Sequence, residues 1–415
     1  MSSPFGPEER EALSSRAARW VRWAAARIAL LLLLLGIGLA ALLMVTEGPR
    51  WNPSTPVRAR LSVASALSAA PVEGFARAEE PRAFVFPHDH GPHPHFRTEW
   101  WYWTGNLVSA SGRHFGFQLT FFRTALAPEA PARESAWGTN QVYMAHFALT
   151  DTRSERFRAW ARTSRGALDL AGATAEPFRV WVGDWEARAD GQASLPIRLR
   201  AGEEDVSLDV SLDSTKPPVL QGDRGLSRKG PEPGNASYYY SLTRMPVRGI
   251  VRVRGERLDV EGLAWMDREW GTSALGPDLA GWDWFALNLE DGRDLMFYQL
   301  RRKDGRAAPW SAGVLVDVRG GTRPLAAGDV KVEPRGTWRS QRTGVGYPSG
   351  WRLTDLRGGL TLEIEPRLAD QELDIGTRYW EGAVQARGLE GTRTVLGTGY
   401  VELVGYDDRL PGSKR

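Results

Sequence analysis

Two stretches about 180 residues apart follow one plan. "WYWTGNLVSASGRHFGFQL", from Trp101, and "WDWFALNLEDGRDLMFYQL", from Trp282, each read W-x-W, then Gly-Arg, then Gln-Leu. A W-x-W strand joined through a glycine turn to a second apolar strand is a hairpin, and its recurrence predicts two copies of one β unit in tandem. A chain of 415 residues accommodates both copies and appendages besides. The remaining pattern agrees with an all-β fold. "VSLDVSLDS" alternates Val206, Leu208, Val210 and Leu212 with Ser207, Asp209, Ser211 and Asp213, so one face of that strand is buried and the other wet. "GRHFGFQLTFF" does likewise with Phe115, Phe117, Leu119 and Phe121, and no long helical period appears after Phe84.

Between the copies lies "STKPPVLQGDRGLSRKGPEPGN", Ser214 to Asn235. Connections of this length and Pro/Gly content often carry function; this one is either a lid or portal rim, or a plain connection. The domain boundary is placed after the following "SYYYSLTRM" strand, near Pro246, giving β domains over 83–246 and 247–405 and a tail over 406–415.

The N-terminal portion is different. Ile28 to Val45, "IALLLLLLGIGLAALLMV", carries no charge, and a helix of this length spans about 27 Å, enough to cross a bilayer. Arg10, Arg16, Arg19, Arg22 and Arg27 precede it, so the positive-inside rule keeps 1–27 cytoplasmic and sends the bulk outward. The following "TEGPR" lacks a small-x-small cleavage pattern, which favours an uncleaved anchor over a signal peptide. Residues 46–82, rich in Pro, Ala, Ser and Arg, read as a flexible linker. The expected location is the inner membrane, single-pass, with the C-terminal bulk periplasmic.

Composition excludes several functions. With no cysteine, disulfides, thiolate metal sites and Cys nucleophiles are absent. A net charge of +3 with acidic and basic residues interspersed argues against a nucleic-acid groove. There is no Gly-rich phosphate loop, no G-x-S-x-G elbow, and no histidine after His146, so nucleotide chemistry and serine hydrolysis are disfavoured. No cofactor is expected.

Four of six histidines fall in "FPHDHGPHPHF": His88, His90, His93 and His95. With Asp89 they have the residue types of a metal site, but Pro87, Pro92 and Pro94 make an irregular, stiff segment rather than a fixed face. No metal is assigned. In "TEWWYWTG" the strand period sends Glu99, Trp101 and Trp103 to one face and Trp100, Tyr102 and Thr104 to the other. Both faces are apolar, so one is expected to line a cavity and the other to lie under a neighbouring element. Glu99, among rings, must be paired with a cation or hold its proton. In "LAWMDREWG" Asp267 and Glu269 share a face with Leu263 and Trp265 while Arg268 points away. Two carboxyls so spaced stand side by side, about 7 Å apart, rather than flanking a sugar as in glycosidases. One acid among aromatic rings suits protonation of an apolar substrate, the π faces stabilising the cation formed; the alternative is a salt-bridged turn at a barrel rim.

"DHGPHPHFRTEWWYWTGNL", "MAHFALTD", "GLSRKG", "ASYYYSLTR", "GLAWMDREWGTS" and "WDWFALNLEDGRDLMFYQLR" together resemble the AttH-like, carotenoid 1,2-hydratase (hydroxyneurosporene synthase) family, over about Ala83 to Glu402. The resemblance implies two tandem lipocalin-like β-barrels with a large apolar cavity. In the hydratase branch an aspartate in a Tyr-His-Asp-His-Asn-Trp-Gly-like motif protonates an isolated double bond before water adds. The matching stretch here keeps Asp267, Trp270 and Gly271 but has Met266 and Arg268 at the histidine positions. The family also resembles fungal barrel proteins that steer pericyclic cyclisations.

Two readings follow. In one, the chain is an enzyme acting on an apolar lipid or polyene-like substrate, with Asp267 as proton donor, Glu99 and Glu269 as further catalytic candidates, and Trp101, Trp103, Tyr143, His146, Tyr240, Trp265, Trp282 and Trp284 binding the ligand. In the other, the same barrels carry an apolar molecule and present it to an envelope transporter without chemistry.

Overall fold

The computed structural model describes residues 73–130, 135–191, 194–272 and 275–406. The expected basic segment and membrane anchor lie outside these residues, as do 46–72 of the expected linker and 407–415 of the tail. Among the described residues no helix is long and apolar enough to cross a membrane. The fold is all-β, built of two curled, nearly closed sheets.

The first sheet comprises β1 (Thr98–Ser109), β2 (His114–Ala125), β3 (Gln141–Asp151), β4 (Arg156–Arg165), β5 (Ala171–Thr174), β6 (Arg179–Val182), β7 (Trp185–Ala189), β8 (Ile197–Glu203), β9 (Val206–Leu212), β10 (Val219–Leu220), β11 (Leu226–Arg228), β12 (Ala236–Val253) and β13 (Glu256–Gly271). The second sheet starts with β14 (Leu279–Leu289), β15 (Asp294–Arg302), β16 (Ala312–Val316), β17 (Thr322–Ala326) and β18 (Val330–Pro334). A separate ribbon of β19 (Thr337–Arg339) and β20 (Gly346–Pro348) interrupts it. It resumes with β21 (Trp351–Asp355), β22 (Leu360–Pro366), β23 (Glu372–Asp374), β24 (Arg378–Glu390) and β25 (Arg393–Val404).

Both sheets follow one circuit. A four-strand meander, β1 to β4 or β14 to β17, is followed by an unbonded gap, and the remaining strands return until the last, β13 or β25, pairs with the first. The recurrence expected from the hairpin echo is therefore a recurrence of topology. The echo does not, however, preserve side-chain direction. Gly292 lies 180 residues after Gly112, both in left-handed turns (φ +89° and +74°), whereas Trp282 lies 181 after Trp101. An odd difference puts a strand residue on the opposite face. Trp101 and Trp103 accordingly point into the first barrel, while Trp282 and Trp284 point outward to the contact between the sheets.

Each barrel encloses its own core. Phe115, Phe117, Leu119 and Phe121 fill the first, with Trp185, Val210 and Leu212 from the returning strands. Phe285, Leu287, Trp351 and Val401 are among those filling the second. Each such side chain contributes about 1.5–3 kcal/mol relative to exposure. β9 shows the clean alternation of a one-sided strand, but β1 is buried on both faces, because its outer face lies against the second sheet.

Two boundaries differ from the sequence reading. The division expected near Pro246 falls inside β12, and both β12 and β13 belong to the first sheet; the chain passes to the second sheet only after Gly271. The signal near Pro246 is a bulge. Pairing with β13 shifts between Leu242 and Met245, and Thr243 and Arg244 leave the ladder to bind Asp294 of the second sheet at 2.9 and 3.0 Å. The expected linker also ends early, since Ala78 is buried in the first core and the Tyr238 hydroxyl donates to Glu80 O.

Candidate active site

Straight rungs across the first sheet place the functional side chains. Ser241, Asp267, Tyr102, Thr120 and His146 are consecutive cross-strand partners on β12, β13, β1, β2 and β3. Tyr239, Glu269, Trp100 and Phe122 form the parallel rung two residues away. Partners on neighbouring strands share a face, so both rungs point outward from the first barrel. The second sheet answers with Tyr298, Trp284, Glu402 and Glu381 in one rung over β15, β14, β25 and β24. Between these surfaces lies a cavity of about 140 Å³, with walls including Trp100, Tyr102, Phe122, Tyr239, Asp267, Glu269, Trp282, Trp284, Tyr298, Tyr379, Glu381 and Glu402.

Asp267 is buried and held by neutral donors. Its Oδ2 accepts from the Tyr239 hydroxyl at 2.5 Å, and its Oδ1 from Ser241 Oγ at 2.5 Å and Trp265 Nε1 at 2.7 Å. Gln221 Nε2 supports Ser241, and Trp284 Nε1 supports Tyr239. Burial outweighs these donors and pushes the Asp267 carboxyl up to about 7, the charge of Glu269 adding to it. Glu269 is held differently. It accepts from Ser237 Oγ and lies 3.3 Å from Lys229 Nζ. Burial works against the charge on Lys229, but Glu269, with Tyr298 and Asp267 adding to it, more than offsets that and raises its proton affinity. Two carboxyls on one strand face thus have a neutral and an ion-paired setting, an arrangement that separates acid from counter-charge.

Of the residues expected from sequence, Asp267, Glu269, Trp282 and Trp284 line the cavity. Trp265 packs between the sheets and orients Asp267. His146 shares a 2.7 Å hydrogen bond between its Nδ1 and the Tyr379 hydroxyl behind the wall, and burial pushes it down to about 3, hence neutral. The others are corrected. Trp101, Trp103, Tyr143 and Tyr240 belong to the interior of the first barrel, and it is the opposite face, Trp100 and Tyr102, that meets the cavity. Glu99 is interior as well: Arg123 and Arg268 both bind it, and the backbone N–H of His93 donates to it at 3.0 Å. Although burial opposes its charge, the two guanidiniums hold its carboxyl well below the usual range. Glu99 is therefore an ionised structural anchor and no acid catalyst.

The histidine-rich segment closes one end of this barrel. His88 to His90 form a short 3₁₀ turn; His90 Nδ1 bonds the Tyr240 hydroxyl at 2.6 Å, and His93 stacks on Trp270 at 3.8 Å. Among the described residues no group of three or more His, Cys, Asp or Glu is arranged to hold a metal.

Sequence reasoning missed Tyr102, Tyr239, Tyr298, Lys229, Glu381 and Glu402. Lys229 sits in the long connection, which is ordered rather than loose: β10 and β11 pair with β12, and Lys216 reaches Asp294 at 2.6 Å. Lys229 directly follows the short β11, and nothing in its local sequence distinguishes it from Lys216 of the same connection. Glu381 and Glu402 stand in "RYWEGAV" and "GYVELVG" as carboxyls in otherwise apolar strands, a pattern that marks a buried acid but not its destination.

The chain matches the AttH-like family model over residues 77–406. Kievitone hydratase of Fusarium solani subsp. phaseoli is 25% identical over 217 residues, 50% of this chain and 59% of that enzyme. The match thus spans less than two thirds of the hydratase's length. Among solved structures, an AttH protein of Nitrosomonas europaea is 38% identical, with a TM-score of 0.71, covering 80% of this chain and all of that one. Kievitone hydratase from Nectria haematococca shares the fold at 16% identity and a TM-score of 0.61, over 80% of this chain and 98% of its own.

Proposed function

The chain belongs to the AttH-like family, and from that premise we propose that it is a hydratase-type enzyme that protonates a carbon–carbon double bond of an apolar, isoprenoid-like ligand held between its two barrels. The observation that carries this reading is Asp267: a carboxyl in an aromatic-walled cavity, with a proton affinity near neutrality and neutral donors fixing both oxygens. A group poised at the working pH is the most effective general acid. Kievitone hydratase, a relative at low identity, supports the reaction class.

The chemistry restricts the ligand. A carboxylic acid of this strength protonates an alkene only where the cation is well stabilised, which favours a trisubstituted double bond and a tertiary cation. Trp282, Trp284, Trp100 and Tyr102 present π faces that attract such a cation. The O–H bond of Asp267 breaks as the new C–H bond forms, leaving the carboxylate to face the cation.

The ligand's apolar character also fits an enzyme tethered to a lipid source, and the reading includes the N-terminal anchor and a periplasmic bulk. Protease added to intact spheroplasts is then expected to degrade the portion after residue 45 and spare the first 27; protection of the whole chain would overturn that placement. For the reaction, Asp267→Asn is expected to reduce hydration of kievitone, or of apolar compounds co-purifying with the full chain, by about 10²–10⁴-fold while ligand binding changes little. Turnover equal to the parent's would remove Asp267 as the acid. Binding without turnover in the parent would favour a carrier.

A further inference from the structure

The second sheet brings to the cavity a feature that proton donation by Asp267 leaves unused. Glu381 and Glu402 stand directly opposite each other on β24 and β25, and both line the cavity. Cross-strand partners of this kind have β-carbons about 4.5–5.5 Å apart, close enough for two carboxyls to share one proton. Two like charges in one buried site cannot both be held. Burial, and after it the neighbouring carboxylates, push Glu402 up to about 8; burial and then Glu402 push Glu381 well above its ordinary value.

Their hydrogen bonding is incomplete on one side. Glu381 Oε1 accepts from the Tyr102 hydroxyl, but Oε2 of this fully buried side chain has no partner. A buried oxygen left open on a cavity wall is where a polar ligand atom belongs. Glu269 is not an equivalent candidate, because Lys229 and Ser237 already engage it. Asp267 lies on the facing wall, so an acid on one sheet confronts a carboxyl pair on the other.

We propose that Glu381 and Glu402 form the water site of the reaction, a one-proton dyad that holds the incoming water through Glu381 Oε2 and takes up its proton. This rests on the hydratase reading above. In the step, Asp267 gives its proton to one alkene carbon and the π bond breaks, leaving a tertiary cation. A lone pair of the water oxygen forms the C–O bond, one water O–H bond breaks, and that proton passes to the ionised carboxylate of the dyad. The cycle closes when the dyad returns a proton through solvent to the Asp267 carboxylate, so alkene and water give alcohol with nothing left over. Tyr102 is a positioning residue that fixes the Glu381 carboxyl.

The test separates the two half-reactions, using the full chain in deuterated water with citronellol as the trisubstituted-alkene probe. Glu381→Gln and Glu402→Gln are each expected to lose hydration by about a hundredfold or more while deuterium still exchanges into recovered citronellol, because protonation by Asp267 is reversible. Asp267→Asn is expected to lose both. Gln variants that hydrate at the parent rate overturn the dyad. A parent that neither exchanges nor hydrates overturns the hydratase reading instead. In that event infrared spectroscopy of Asp267→Asn, which lacks the other protonated carboxyl of the cavity, decides the dyad by itself: a protonated-carboxyl band present at neutral pH and shifted or lost when either glutamate is also replaced by Gln supports the shared proton, and its absence from Asp267→Asn overturns it. Tyr102→Phe, which leaves both carboxyls in place, guards against misfolding of the Gln variants and is expected to lower hydration while exchange persists.

Discussion

Ser241 and Tyr239 each donate to the ionised form of Asp267, so removing either makes the proton harder to lose. Ser241→Ala and Tyr239→Phe are expected to move the alkaline limb of the pH–rate profile upward by about one unit; a downward shift would show that these hydroxyls do not stabilise the Asp267 carboxylate. Glu99 belongs to a different problem. Glu99→Gln leaves Arg268 and Arg123 buried without their counter-charge, and urea denaturation should show a loss of about 3–5 kcal/mol. The contrast shows what was legible residue by residue. Strand alternation alone separated Asp267 and Glu269 from Arg268 and put Glu99 beside rings, either paired with a cation or holding its proton; the structure shows the pairing. It could not say that the Glu99 face is the inside of a barrel and the Tyr102 face the wall of a cavity, because both faces of that strand are equally aromatic. Lys229, Glu381 and Glu402 were beyond reach for another reason: the cavity they face is walled by strands far apart in the chain.

Among the elements, the contact of β2 with β24 sets how closely the sheets approach. Gly116 lies there, and a β-carbon on it would stand 2.5 Å from Ala383 Cβ and 3.2 Å from the Tyr400 hydroxyl. Gly116→Val is therefore expected to part the sheets, costing about 1–3 kcal/mol and weakening ligand binding while the far-UV circular dichroism stays that of two intact barrels; unchanged affinity would show that the cavity does not depend on this spacing. The hairpin echo was visible in sequence because turn and strand residues recur together. Its face reversal was not, since the one-residue slip between tryptophan and glycine alignments matters only once the turns are fixed in space. Likewise the border expected near Pro246 followed from the long Pro/Gly-rich connection before it, and nothing in the sequence showed that β12 runs on through a bulge at Thr243 and Arg244 within the first sheet.

For the molecule as a whole, the buried acids give stability a pH dependence. Asp267 and Glu402 rise from ordinary values of 3.8 and 4.5 to about 7 and 8 in the folded state, so the native form binds more protons than the unfolded form in between. Their contribution is fully present below about pH 4 and is lost as pH rises through about 7 and 8. Glu99 and Asp89, held low by arginine and histidine partners against the opposing effect of burial, keep theirs down into strong acid. The melting temperature is thus expected to rise as pH falls from about 8 to about 5, and the slope to flatten in Glu402→Gln; a flat profile in the parent would contradict the placement of these acids. Two β units in tandem could be foreseen, but a cavity between them could not, since it arises from how two finished barrels meet. That origin has a consequence for how such a protein changes over generations. The cavity walls are made from outward-facing residues that alternate with core residues along the same strands, so each wall position can be replaced without disturbing the packing that keeps its barrel closed. A lineage built this way can pass from one substrate to another, or from one reaction to another, by rewriting every second letter of a few strands while inheriting its architecture intact.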